Sequence, residues 1–309
     1  MTWRPVKWPV RKIHLLPFGV ILGVAVAVAC SSSKSSSKFG FDPHADPGLS
    51  DQQYGQILNA VQQANASVSQ AQLAAQGQQI FESKTLGKKG DSCSTCHVNG
   101  GGVNMSVGII NHPTKAGDFT GPRTPIMLWG AANTGPYTWD GHVATLEKQV
   151  TNTIVTFTKA GATQPAATTA QQVAAVVAYL KTLTPPHTDF DRATLSPLAL
   201  RGEQLFRGSI GCANCHSGPL FTDNRIHDIG TPTVPGETDP GAAVLPGGLQ
   251  HGFNTPTLRD VKDRAAFMHN GVFKSLADVL TFYDSNKQAG VPPISGPDKD
   301  AIIAYLQTL

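Results

Sequence analysis

The stretches CSTCH at residues 93–97 and CANCH at residues 212–216 decide the fold of this chain of 309 residues. In each stretch, two cysteines are separated by two residues and followed at once by a histidine. A Cys-x-x-Cys-His run is the attachment signal of c-type haem. Its two thiols reach the two vinyl carbons at one edge of the porphyrin, and the adjacent imidazole faces the iron. The sequence therefore predicts two covalently bound haem c groups, held by Cys93, Cys96 and His97 and by Cys212, Cys215 and His216.

Zinc binding and thiol–disulfide exchange are the alternatives for paired cysteines of this kind. Two Cys-x-x-Cys pairs that share a zinc ion usually lie about 15–20 residues apart. Cys96 and Cys212 lie far beyond that spacing, and each pair carries its own histidine. A thioredoxin-like pair would need a β-α-β context, which the sequence lacks. Haem attachment is therefore the better explanation of both pairs.

An internal repeat surrounds the two haem motifs. Matching segments are GQQIF and GEQLF, then YTWDG and FMHNG, then AVVAYLKTL and AIIAYLQTL, at residues 77–81, 202–206, 137–141, 267–271, 175–183 and 301–309. No run of alternating β-branched residues is long enough to predict a sheet, and Thr151 to Lys159 comes nearest. We therefore predict an all-α fold of two tandem cytochrome c-like domains with Gly/Pro-rich loops, at 70–186 and 197–309, joined by a linker at 187–196.

The segment that precedes the repeat has a different character. Basic residues are followed by an apolar run at 15–29, which is shorter than the about 20 residues that span a bilayer. Because the run ends in small residues before Cys30, we predict a lipoprotein-type signal peptide at 1–29 with Cys30 as the lipidation site. An uncleaved anchor helix is the alternative. A Ser-rich tether at 30–49 and an N-terminal helix at 50–69 are expected to follow.

The leader also decides the expected location and the meaning of the charge. It predicts an exported, periplasmic protein anchored to a membrane through its lipid, and Ser31 is typical of sorting to the outer membrane. The formal net charge is +3, but the basic excess lies in the first dozen residues. Since the remaining chain has no basic excess, no nucleic-acid partner is expected.

The second axial ligand determines what each iron can do. A methionine sulfur raises the potential and closes the iron, whereas a proximal histidine alone leaves it open to small molecules. Met268, in the repeated loop FMHNG, is the predicted sixth ligand of the second iron. Thr138 holds the equivalent position in the first copy and is not a stable haem ligand. The two irons are therefore predicted to differ in coordination.

Other side chains could act at the first iron. His112 follows a flexible stretch and is a candidate distal ligand or proton shuttle, with a solvated loop histidine as the alternative. His142 has the same two interpretations. Met105 could reach an iron from a glycine-rich loop, although a core or solvent contact is the stronger interpretation, and Met127 is expected in the core.

At this point the chain resembles the bacterial dihaem cytochrome c peroxidase family, which includes the methylamine-utilisation dihaem oxidases. The resemblance rests on CHSGPLFTDNRIHDIGTP at 215–232, TPTLRDV at 255–261, FMHNG at 267–271 and YTWDGHVATLEKQV at 137–150. It implies two cytochrome c domains, an electron-accepting C-terminal haem with Met268 as ligand and a peroxidatic N-terminal haem. It also implies that Trp139 lies between the two haems, with a packing role in the core as the alternative.

The chain departs from the family pattern at several places, and it also lacks a long helical insertion that is usual in the family after the Trp-Asp-Gly helix. The glutamate that assists peroxide cleavage in the family is missing, because residues 151–170 contain no acid. Ile109 stands where the family has its distal histidine, and His112 follows three residues later. Arg123 replaces the asparagine associated with an inter-domain calcium. The resemblance therefore implies the fold and two haems, peroxidase activity only in part, and calcium poorly.

The leading hypothesis is the reduction of hydrogen peroxide to water with electrons from a small periplasmic donor, either a cytochrome c or a cupredoxin. Arg123 and Arg259 are candidate partners of haem propionates. One alternative is a membrane-tethered dihaem electron carrier without peroxidase activity, and another is a dihaem oxidase that acts on a protein or organic substrate. A homodimer is left open by the sequence.

Overall fold

The described part of the chain is mostly helical. The computed structural model describes residues 50–67, 69–87, 90, 92–98, 110–112, 120–157 and 164–309. Within these residues the helices are α1 (Asp51–Ser67), α2 (Gln70–Glu82), α3 (Cys93–Cys96), α4 (Leu146–Phe157), α5 (Ala166–Thr182), α6 (Pro197–Arg207), α7 (Leu276–Ser285) and α8 (Gly296–Leu306). The predicted all-α class is confirmed in this coarse sense. The predicted signal peptide, the lipidation of Cys30 and the tether lie outside the described residues.

Two small antiparallel sheets interrupt the helices, and the sequence did not predict them. Strand β1 (Ile110–His112) pairs with β2 (Gly121–Arg123), with His112 opposite Gly121. Strand β3 (Ile226–His227) pairs with β4 (Phe253–Asn254). The segment that came nearest to a strand pattern belongs to α4 over residues 151–157, because Val150, Ile154 and Val155 bury one face at helical spacing.

Serine side chains set the start of most of the long helices. Ser69 caps α2 in a capping box with Gln72, and Ser196, Ser275 and Ser295 accept backbone hydrogen bonds at the starts of α6, α7 and α8. Such caps satisfy backbone N–H groups that the first turn of a helix leaves unpaired. The polar boundaries visible in the sequence therefore become the ends of the helices.

The repeat is visible in the helix packing. In the first copy α2 packs on α5, and in the second copy α6 packs on α8. A Cβ atom added at Gly77 would lie 1.9 Å from the Ala175 carbonyl oxygen, and one added at Gly202 would lie 1.9 Å from that of Ala301. Only glycine permits this approach, so the two copies use the same helix crossing.

The core forms two clusters of buried apolar side chains. One draws on residues between 57 and 183, the other on residues between 206 and 309. Ile57 and Val61 on α1 join the first cluster, so this helix packs along α5. Among the described residues, no helix is both long and apolar enough to cross a membrane.

The segment predicted as a linker packs against the second cluster. The Phe190 ring meets the rings of Phe221 and Tyr305 edge-on, at centroid distances of 5.3 and 6.0 Å. Asp191 accepts a hydrogen bond of 2.9 Å from the guanidinium of Arg259. Residues 188–191 are therefore anchored to the second copy by aromatic contacts and an ion pair.

Two candidate haem sites and the layer between them

The first cavity surrounds the first haem motif. It has a volume of about 260 Å³, and Cys93, Cys96 and His97 all line it. The single turn of α3 brings both thiols to the same cavity, and its start is fixed by Ser92, whose backbone N–H donates to the Thr95 hydroxyl at 3.0 Å. Most of the remaining wall is apolar and comes from α4, α5 and residues 124–139.

The donor chemistry of this first cavity fits a c-type haem. Both thiols are free of disulfide bonds. Burial raises the pKa of the Cys93 thiol to about 11 and lowers the pKa of His97 to about 4. The His97 Nδ1 atom is buried and has no hydrogen-bond partner among the described residues. A neutral imidazole beside two thiols in an apolar pocket is the set that covalent haem attachment requires.

The second cavity has the same elements and one more donor. Its volume is about 230 Å³, and Cys212, Cys215, His216 and Met268 line it. The His216 Nδ1 atom lies 3.0 Å from the Phe221 carbonyl oxygen, so when Nδ1 carries the proton Nε2 would be the nitrogen available to hold an iron. The residues of this cavity also fit a c-type haem, for which Met268 would supply a thioether as a further iron ligand.

Thr138 and Met268 occupy equivalent loops. Both residues have left-handed backbone angles, with φ of 72° and 67°, and each lines the cavity of its own copy. The same antiparallel bridge closes each loop, between Tyr137 and Val143 in the first copy and between Phe267 and Phe273 in the second. A β-branched residue with a positive φ is strained. The loop geometry is therefore common to both copies, and the side chain is what differs.

A polar cluster supports Thr138 in the first copy. Its hydroxyl lies 2.5 Å from an Asp140 carboxylate oxygen and 3.1 Å from the His142 Nδ1 atom. His142 in turn lies 2.5 Å from the same Asp140 oxygen, and its side chain is 1% exposed. The sequence named His142 only as an ambiguous candidate. Its contact with Thr138 depends on the left-handed loop, which no local pattern predicts.

Gln149 is a further polar group that the sequence analysis missed. It lines the first cavity from α4, and its Oε1 atom is buried without a hydrogen-bond partner among the described residues. This atom can accept a hydrogen bond from a molecule in the cavity. Met127 is 3% exposed and belongs to the first core, as expected. His112 lies in β1, but its side chain and all of Met105 lie outside the described residues.

Trp139 lies between the two cavities and lines both. It is 5% exposed, and its indole N–H donates to the Thr124 carbonyl oxygen at 2.7 Å. The Trp139 carbonyl oxygen accepts a hydrogen bond of 2.6 Å from the Asn254 backbone N–H. Both copies therefore hold this residue, one through the indole ring and the other through the main chain.

The two arginines expected to pair with propionates already have carboxylate partners. Arg123 is 4% exposed and donates to Asp140 at 2.7 Å and to both carboxylate oxygens of Asp239, at 2.7 and 2.8 Å. Arg259 donates to Asp191. The Arg123 guanidinium thus supplies positive charge at the position that the family resemblance associates with calcium. Calcium, which the resemblance implies only poorly, is not tested by these contacts. The bonds from His142, Arg123 and Thr138 hold the pKa of Asp140 below its usual range despite burial.

The chain is similar in sequence to dihaem enzymes. Residues 70–184 match the family model described as di-haem cytochrome c peroxidase. The methylamine utilization protein MauG of Methylorubrum extorquens is 28% identical over 281 residues, which covers 75% of this chain and 76% of that protein. The cytochrome-c peroxidase IdrP1 of a Pseudomonas species is 31% identical over 157 residues, which covers 38% of this chain and 41% of the relative.

Solved structures share the fold. A MauG-like protein associated with microbial copper homeostasis superposes with a TM-score of 0.64 at 22% identity, covering 77% of this chain and 88% of that chain. The diheme peroxidase BthA from Burkholderia thailandensis superposes with a TM-score of 0.61 at 21% identity, covering 77% of this chain and 86% of that chain. At such identities the superpositions support the architecture alone.

Proposed function

Because the chain belongs to the dihaem cytochrome c peroxidase and MauG family, we propose that it reduces hydrogen peroxide to water at the first haem with electrons received at the second. One observation carries the proposal. The two copies share a loop that presents a side chain to the haem cavity, and this side chain is Met268 in one copy and Thr138 in the other. A thioether closes an iron, whereas a threonine hydroxyl does not.

A haem bound in each cavity supplies a redox-active iron whose potential and open coordination depend on its axial ligands. His97 and His216 would hold the irons through neutral imidazoles, because burial lowers the pKa of both. Met268 would occupy the remaining ligand position at the second site, so this site is suited to electron transfer and not to peroxide binding. Thr138 leaves room at the first site, where the Gln149 Oε1 atom can hold a small hydrogen-bond donor such as peroxide.

Peroxide reduction consumes protons as well as electrons, and the first copy has a route for them. The Thr138 hydroxyl borders the cavity and contacts the His142 Nδ1 atom. An Asp140 carboxylate oxygen lies 2.5 Å from the same Nδ1 atom and holds this imidazole in place. A proton at His142 can therefore reach the cavity through the Thr138 Oγ1 atom. His112 stays a second candidate carrier from the sequence.

Electron transfer between the sites would use the layer around Trp139. This residue borders both cavities and is fixed by hydrogen bonds of 2.7 and 2.6 Å. The proposed donor is a small periplasmic cytochrome c or cupredoxin, in keeping with the exported, lipid-anchored location predicted from residues 1–30.

Stopped-flow mixing of the purified two-haem protein with hydrogen peroxide tests the proposal. Half-reduced or fully reduced protein is expected to consume peroxide, and the first haem is expected to give a high-spin spectrum. If neither state consumes peroxide and both haems are six-coordinate, the peroxidase proposal fails and the protein is an electron carrier.

A second candidate function is favoured by the extent of the MauG similarity. It spans three quarters of both chains, whereas the peroxidase relatives match over less than half of their length. In this alternative, peroxide oxidises a protein or organic substrate instead of an electron-donor protein. Peroxide consumption that stays independent of added reduced cytochrome c or cupredoxin would favour the oxidase.

A further inference from the structure

Arg264 is half-buried, and its guanidinium contacts different groups from those of the buried residues Arg123 and Arg259. Arg123 and Arg259 donate to carboxylates at 2.7 and 2.9 Å. Arg264 donates instead to neutral oxygens, each at 3.2 Å: the Ala266 carbonyl, the Pro125 carbonyl and the Thr124 hydroxyl. Among the residues that the structure describes, no ion pair includes Arg264.

The position of Arg264 connects this cation with the second haem site. Arg264 lines the second cavity together with Met268 and the haem-binding cysteines. Two of its three hydrogen bonds go to Thr124 and Pro125, which line the first cavity. The guanidinium therefore lies at the edge of the second cavity that faces the first.

The positive charge of Arg264 would be stabilised by a negatively charged group bound in the second cavity. Burial lowers the pKa of Arg264 to about 10, which still leaves the group charged at neutral pH. A charge that is partly removed from water and has no counter-charge is unfavourable. The cofactor that fits this cavity carries two propionate carboxylates, and arginine pairs with carboxylates through two parallel hydrogen bonds.

We propose that Arg264 is the counter-ion of a propionate on the second haem and that its positive charge raises the potential of that haem. This inference rests on the haem content of the proposed function but not on peroxidase activity. Arg264 thus takes the place of Arg259 as the expected propionate partner of the second haem, because Arg259 pairs with Asp191. A fixed cation stabilises the reduced, more negative form of the haem.

Redox titration of the two-haem protein at fixed pH tests this assignment. Arg264→Gln is expected to lower the equilibrium constant for reduction of the methionine-ligated haem at least tenfold. For one electron this corresponds to a midpoint potential lower by about 59 mV. Lys262→Gln removes an exposed cation from the same segment and is expected to leave the potential unchanged. An unchanged potential in a two-haem Arg264→Gln protein would overturn the proposal.

A second variant keeps the test decisive if the glutamine variant loses its haem. Arg264→Lys keeps the charge but not the planar fork, so we expect a near-normal potential and shifted propionate vibrations in redox-difference infrared spectra. Propionate bands identical to those of the unmodified protein would also overturn the proposal. Both measurements are made without peroxide, so a protein that fails as a peroxidase still reports on Arg264.

Discussion

The two copies of the repeat share their framework and differ in the chemistry of one loop. Each packs a glycine of one helix against the backbone of another, at Gly77 and Gly202, and each closes a left-handed loop with the same bridge. The loop then carries Met268 in the second copy but Thr138 in the first. Asp140 likewise corresponds to Asn270, so the first copy has a carboxylate where the second has an amide. Duplication thus preserved the support for two haems, while substitutions made the two sites unequal.

The helix crossing that the two copies share can be disrupted in either copy by adding a methyl group to its glycine. The resulting loss of stability is the largest of the expected effects. Gly77→Ala and Gly202→Ala each place a methyl group against a backbone carbonyl, so we expect each to lower the free energy of unfolding by about 3 kcal/mol. Gly55→Ala is the matched control, because a Cβ there meets nothing within 4 Å. Denaturant unfolding of the haem-loaded variants measures this. Equal stability of the Gly77 and Gly55 variants would contradict the close packing.

Removing the difference at the loop tests whether it separates the functions. Thr138→Met gives the first copy the donor of the second, so we expect a low-spin first haem and about 100-fold slower peroxide consumption, or about 2.7 kcal/mol in barrier. Thr138→Ser retains the hydroxyl and is expected to keep most of the activity. Optical spectra and stopped-flow rates report the result. A fully active Thr138→Met protein would contradict the role assigned to the open site.

The carboxylate of Asp140 predicts a smaller, pH-dependent difference between the copies. Its pKa is lower in the folded than in the unfolded protein, so its stabilisation is complete above the unfolded value of about 3.9 and is lost as the pH falls below it. Asp140→Asn copies Asn270 and leaves Arg123 paired with Asp239. We expect a loss of about 2 kcal/mol at neutral pH and a flatter stability curve in acid, measured by unfolding between pH 2 and 7. If the Asp140→Asn protein loses stability between about pH 4 and pH 2 as steeply as the unmodified protein, Asp140 does not contribute to the pH dependence of stability.

The sequence predicted what local spacing encodes. The haem motifs and the repeated segments are short patterns, so they sufficed to predict the candidate sites, the helical class and the asymmetry between Met268 and Thr138. The two small sheets were missed because strands of two or three residues depend on partners distant in the chain. For the same reason, the partners of Arg123 and Arg264 could not be predicted from the sequence. A sequence shows that a residue is an arginine, but long-range packing decides which groups its guanidinium contacts.

The hydrogen bonds around Trp139 are partly main-chain bonds between the two copies. The Asn254 N–H donates to the Trp139 carbonyl, and the Thr124 N–H donates to the His269 carbonyl at 2.7 Å. Backbone groups are present whatever the side chains, so substitutions in this layer leave the register between the copies largely intact. The tunnelling distance between the redox centres would then persist through sequence drift, while potentials and ligand access remain free to evolve.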